Sequence, residues 1–199
     1  MEYNKNPERS NRLRLEGNKY YKKMYYFDAL LCYNESLCFA DPNSTEISLI
    51  YGNRSAVYYM TKYYEFCLDN IQLARDNGFE DYEKMIEREE KCWKEMSFYV
   101  QRPDDDPWDF YKLDPMHNRH HNLPNVISAL TLRNNIKFGR YIITNKALKS
   151  GEFIAIDEPL FKMRNFKARY RRCLTCLRFN GLNLIPCTGC TSSMYNKIN

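Results

Sequence analysis

The sequence predicts a mainly α-helical protein whose helices come first and whose strands and cysteine-paired tail come last. Three observations carry this. Two segments of the first 80 residues match when one is slid 38 residues over the other, three runs rich in β-branched residues follow residue 126, and four cysteines form two C-x2-C pairs near the end. The chain has only 7 glycines in 199 residues, about half of the ~7% average usage, which suits long helices with few tight turns. Hydrophobic residues at 44% and charged residues at 28% exclude wholesale disorder. The length allows one sizeable domain or two small ones.

In the first repeat, LRLEGNKYYKKMYYFDALLCYNESLCFADP, the small residues Ala29 and Ser36 follow Tyr26. In the second, YGNRSAVYYMTKYYEFCLDNIQLARDNG, Cys67 and Ala74 follow Tyr64 in the same register. Small residues where two helices cross, with aromatics filling the groove above them, resemble tetratricopeptide (TPR) repeats, whose usual period is about 34 residues. The four extra residues fall in DPNSTEIS, where Asp41-Pro42 stops one helix and Asn43 or Ser44 caps the next. Gly78 closes the fourth helix, and a fifth runs from Asp81 to about Phe98 as a cap or third repeat. The expectation is a TPR-like helical superhelix over residues 1–100. Cys32, Cys38, Cys67 and Cys92 fall at helical packing positions and read as core.

Residues 101–126 read as an acidic, proline-rich linker, with His117, His120 and His121 as solvated loop residues. Over 127–163, ISALTLRNN, RYIIT and EFIAI read as three strands, with Lys149-Ser150-Gly151-Glu152 as the turn before the last. So few short strands cannot bury a core of their own.

The N-terminus is too charged for a secretory signal, and no run of about 18 apolar residues occurs, so a soluble intracellular protein, cytoplasmic or nuclear, is expected. The net charge is +5, yet residues 162–199 hold eight Lys or Arg and no acid, which leaves the first 161 residues at −3. Lacking a reading helix and stacking aromatics, this basic tail suits a protein partner better than a nucleic acid.

Cys173, Cys176, Cys187 and Cys190 give C-x2-C-x10-C-x2-C. Two thiolate pairs on tight turns are the donor set of a closed structural zinc site. The segment LNLIPCTGCTSSMY resembles the MYND zinc finger, and FGRYIITNKALKSGEFIAIDEPLF before it resembles the opening of a SET domain. Together with the TPR-like region, this order resembles the SET-and-MYND (SMYD) family of protein-lysine methyltransferases, in its TPR-bearing branch. The resemblance implies S-adenosylmethionine and zinc as cofactors, a protein substrate, and a SET start at 127–163 followed by a partial finger at 164–199. Gly139 and Arg140 match the start of the family's Gly-Arg-Gly loop, which lies against the methyl donor, and Tyr141 stands at the second Gly. The family's later SET motifs have no counterpart, so no catalytic residue is assigned. In the finger, the family has a Cys after the aromatic matched by Tyr195; here Asn196 follows. The chain therefore reads as a piece cut within the finger, and one zinc held by all four cysteines is expected, with Leu177 to Pro186 folding back around it.

Some TPR domains hold acidic C-terminal tails of heat-shock chaperones in a two-carboxylate clamp. Arg14 and Asn18, then Asn53, then Lys84 and Arg88 match that clamp in type, with four-residue steps that put each pair on one helix face. Without a SET core, the alternative to an enzyme portion is thus a TPR-and-zinc adaptor for chaperone tails.

Overall fold

The computed structural model describes residues 4–42, 44–79, 82–97, 118–123, 125–157 and 160–197. Most of the expected linker, with His117, Asn43 and Asp81, lies outside them. The described chain is mainly helical. Residues 1–106 and 163–199 form one compact unit and 107–162 a second.

In the first unit, α1 (Pro7–Lys22) starts with proline in its first turn and with Asn6 accepting from the Arg9 N–H at 2.9 Å. It pairs with α2 (Tyr26–Phe39), and α3 (Thr45–Met60) pairs likewise with α4 (Tyr64–Asp76); α5 (Tyr82–Met96) then packs on α3 and α4. The 38-residue repeat is visible atom by atom at the helix ends. After α1, the Tyr25 N–H donates to Tyr20 O and Met24 N–H to Tyr21 O, with Met24 at φ 62°. After α3, Tyr63 donates to Tyr58 O and Lys62 to Tyr59 O, with Lys62 at φ 63°. This double bond with a left-handed residue closes a helix C-terminus and usually employs glycine, as Gly78 does after α4. Ring pairs Tyr21–Tyr26 and Tyr59–Tyr64, at 5.9 and 6.0 Å, repeat the same packing. Ala29 and Cys67 are fully buried in equivalent places. Ser44 does precede α3, but its hydroxyl donates back to Asp41 O instead of capping. Among the described residues no helix is long and apolar enough to cross a membrane.

The tail belongs to the same core. Tyr170, Cys173, Leu182, Leu184 and Met194 are buried with the helical residues, and β3 (Leu184–Pro186) pairs antiparallel with β4 (Met194–Asn196). A fully buried polar network ties the hairpin to three helices. Asn34 of α2 donates to the carbonyls of Tyr170 and Leu182 at 2.9 and 3.0 Å. Arg54 of α3 donates to Leu184 O at 2.7 Å, and Asn70 of α4 donates to Asn183 Oδ1 at 2.8 Å. The Arg54 guanidinium also lies over the rings of Tyr51 and Tyr58. Gly181, in a left-handed turn at φ 54°, packs so tightly on Phe66 that a Cβ there would meet its Cε2 at 2.6 Å. Its carbonyl accepts from the Tyr58 hydroxyl at 3.1 Å. Within the stretch expected to fold back around a zinc, Gly181 to Leu184 are thus held to the helices.

In the second unit, β1 (Leu130–Asn135) and β2 (Gly139–Thr144) form an antiparallel hairpin in which Leu130 faces Thr144 and Asn135 faces Gly139. The expected third strand, EFIAI, is not a strand: it contributes a single bridge, Val126 to Ala155. Gly151, at φ 89°, takes the predicted turn before it. Ile127, Ala129 and Leu130 are buried, whereas Leu132, Ile136, Phe138 and Ile142 are exposed. Among the described residues of this unit, so short a hairpin has one small buried apolar cluster.

Candidate functional site

Four of the five clamp residues share the face made by α1, α3 and α5. Asn18 Oδ1 accepts from Asn53 Nδ2 at 2.9 Å and from the Tyr33 hydroxyl at 2.8 Å. Those bonds orient the Asn18 amide and leave its NH2 group, among the described residues, with no acceptor. Burial pushes the Tyr33 hydroxyl well above its ordinary pKa, so it remains a donor there. One turn from Asn53, Arg88 of α5 donates to Ser55 Oγ at 2.7 Å and Gly52 O at 3.2 Å. Arg14, one turn before Asn18, is bound by Glu46 at the start of α3: Nε to Oε1 is 2.6 Å. Asn11 accepts a further bond from Arg14 at 2.9 Å. Lys84, one turn before Arg88, also lies on α5 and has an interaction of its own. The structure thus brings amide and guanidinium groups of α1, α3 and α5 near one another, with Arg14 engaged by Glu46 and Arg88 by Ser55 and Gly52.

Glu46 was not foreseen. Its signal in the sequence was its place two turns before Asn53, on the same face of α3.

The four tail cysteines stand as two separate pairs. Cys173 is buried and Cys176 partly so, and Asn196 at the end of β4 donates to Cys176 Sγ at 3.2 Å. Cys187 and Cys190 lie at the other end of the hairpin, where the Cys187 N–H donates to Ser193 O at 2.9 Å. The three residue steps from Ser193, beside Cys187, to Asn196, beside Cys176, span ~10 Å where the chain is extended. Four sulfurs around one zinc, each ~2.3 Å from it, lie far closer together. Among the described residues no group of three or more His, Cys, Asp or Glu side chains is placed to hold a metal. Among the described residues the single four-cysteine site expected from the spacing is not assembled.

Burial raises the Cys190 thiol, but hydrogen bonds from Ser193, Ser192 and Cys187 outweigh that and bring it to about 7. Lys5, ahead of α1, donates its ammonium to Cys187 O at 2.8 Å, Cys190 O at 3.3 Å and Cys38 O at 3.0 Å, fixing the second turn to the end of α2. Lys5 and Arg54 were both missed in the sequence, where they read as ordinary cations. Cys38, Cys67 and Cys92 are buried as expected, while Cys32 is only half-buried.

Gly139, Arg140 and Tyr141 open β2 on an exposed hairpin. Gly139 has φ 64°, which the turn from Asn135 itself requires, and a Cβ added there would meet nothing within 4 Å. The Tyr141 hydroxyl accepts from Asn135 at 3.3 Å. These three residues, as placed in this chain, form no enclosure for a methyl donor. His120 and His121 stack on each other at 4.9 Å in an exposed loop.

The chain is similar to curated proteins described as protein-lysine N-methyltransferase SMYD4. The zebrafish (Danio rerio) protein is 24% identical over 208 residues, covering 96% of this chain and 27% of the relative. The chicken (Gallus gallus) protein is 31% identical over 44% of this chain and 12% of its own length, and the mouse (Mus musculus) protein 36% over 40% and 10%. The chain thus spans about a quarter of the zebrafish relative. No protein-family model matches it, and no solved structure does.

Proposed function

We propose, from the premise that this chain belongs to the SET-and-MYND (SMYD) family of protein-lysine methyltransferases, that it is the N-terminal portion of an S-adenosylmethionine-dependent protein-lysine N-methyltransferase. In this reading the helical array and the finger serve protein–protein interaction. The similarity to the zebrafish relative along 96% of the chain supports it most directly. Zinc is the metal that Cys173 with Cys176, and Cys187 with Cys190, would hold; it would cross-link loop segments and supply no reaction step. The hairpin residues Gly139, Arg140 and Tyr141 do not fit a methyl donor by themselves, so no methyl-transfer step follows from them. A donor site needs walls from several elements. Calorimetry of this chain with S-adenosylmethionine tests the assignment of roles: no heat of binding is expected, and micromolar binding would overturn it.

A second reading is favoured by the row Arg14, Asn18, Asn53, Arg88: a non-catalytic adaptor that receives the acidic C-terminal tail of a partner such as a heat-shock chaperone. A peptide with a free terminal carboxylate binds this chain, and amidation weakens it by about 1.5–3 kcal/mol, the range for hydrogen bonds to a charged group. Equal affinity of the two peptides removes this reading.

A further inference from the structure

The carboxylate-receiving face carries a carboxylate of its own. Glu46 Oε1 sits 2.6 Å from Arg14 Nε, with the two side chains only 19% and 17% exposed. A half-buried ion pair of this kind is screened less by water than a surface pair, so the charge of Arg14 is already answered before any ligand arrives. The Asn18–Asn53 amides one turn further on have no such competitor: Asn18 accepts two hydrogen bonds, and its amide donor is unspent among the described residues. A ligand carboxylate entering at Arg14 would meet Glu46 at contact range, where like charges repel. One entering at Asn18 and Asn53 would meet the unspent amide N–H donor of Asn18, whose own oxygen is already occupied by Asn53 and Tyr33.

We propose that Glu46 is a specificity-determining residue that converts a two-carboxylate clamp into a one-carboxylate site. The ligand is then a polypeptide whose free C-terminus is held at the Asn18, Asn53 and Arg88 end and whose residue opposite Arg14 is uncharged. Selection works through repulsion of the wrong ligand as much as through attraction of the right one. The inference rests on the clamp reading above, and the experiment separates the two.

The test titrates the full chain and its Glu46→Gln variant with three peptides: a neutral pentapeptide with a free carboxylate, the same peptide amidated, and one with three acidic C-terminal residues and a free carboxylate. The amide introduced by Glu46→Gln would keep a hydrogen bond to Arg14, and a Glu46→Ala variant, checked for an unchanged helical spectrum, guards against a merely structural effect. In the wild type the neutral free peptide binds at least as tightly as the acidic one. Both variants gain about tenfold for the acidic peptide and change less than twofold for the neutral one. If the acidic peptide binds the wild type and both variants equally, the Glu46 inference falls while the clamp stands. If free and amidated peptides bind every form alike, the clamp reading falls and takes the inference with it.

Discussion

Arg54 on α3 donates from Nη2 to the side-chain oxygen of Asn183 at 2.8 Å, across 129 residues of sequence. The guanidinium is fully buried, and it meets carbonyl and amide oxygens together with two tyrosine faces. This contact makes the cysteine tail a packed part of the helical array, so the two should fold and unfold together.

Arg54→Met keeps most of the volume and removes the donors. The Leu184 carbonyl then loses its side-chain donor inside the core, worth about 1–3 kcal/mol if left unsatisfied, while the Asn183 amide oxygen keeps its bond from Asn70. A loss of about 1–3 kcal/mol in urea unfolding is expected, with the helical signal at 222 nm and the near-ultraviolet signal shifting together. A loss below about 1 kcal/mol would separate the tail from the helices.

Gly17 and Gly52 should respond differently to alanine. At Gly17 the new Cβ would meet the Tyr33 ring at 2.5 and 2.8 Å, and that ring is buried and anchored by its hydroxyl to Asn18. At Gly52 the nearest atom is the Met85 methyl at 2.7 Å, the end of a flexible side chain. Gly17→Ala is expected to cost about 1–3 kcal/mol as an overpacked site, and Gly52→Ala distinctly less. Thermal melts of the two variants in the opposite order would contradict this packing.

Asn196 sits beside Cys176, where a cysteine would add a third thiolate to the Cys173–Cys176 pair. Asn196→Cys should therefore tighten zinc binding at the Cys173–Cys176 end by at least tenfold in a competition titration with a chromogenic chelator. Because the tail shares the core with the helices, zinc at about 100 times its dissociation constant should add ~2.7 kcal/mol to the unfolding free energy. An affinity unchanged by the substitution would mean that this end of the hairpin takes no metal.

Stability should fall on the alkaline side. Burial pushes the thiol of Cys38 and the hydroxyls of Tyr51 and Tyr58 up to about 12, from ordinary values of 9.0 and 10.0. Above pH 9–10 the unfolded chain releases these protons while the folded chain keeps them. The unfolded state then binds fewer protons, so stability is full below that range and is lost as pH climbs towards 12. Tyrosinate absorbance near 295 nm that rises in step with helix loss between pH 10 and 12 would confirm it; complete ionisation with the helices intact would not.

The sequence by itself determined the repeat. The 38-residue offset of Tyr26 and Tyr64, with small residues following in register, is a local pattern, and local patterns dictate helices and their hairpins. It also marked the two cysteine pairs and the row from Arg14 to Arg88, since four-residue spacing fixes a shared helix face without knowledge of the fold. Only the tertiary structure decided what those groups meet. The EFIAI run carries strand propensity but finds a single bridging partner, because strand formation depends on what lies alongside. The carbonyls of Gly181, Leu182 and Leu184 are held by Tyr58, Asn34 and Arg54, from helices more than 120 residues earlier. Glu46 and Arg14 were each legible as charges, and their union was not. Which acid answers a given cation is set by the packing of α1 on α3, a long-range relation that no local spacing encodes.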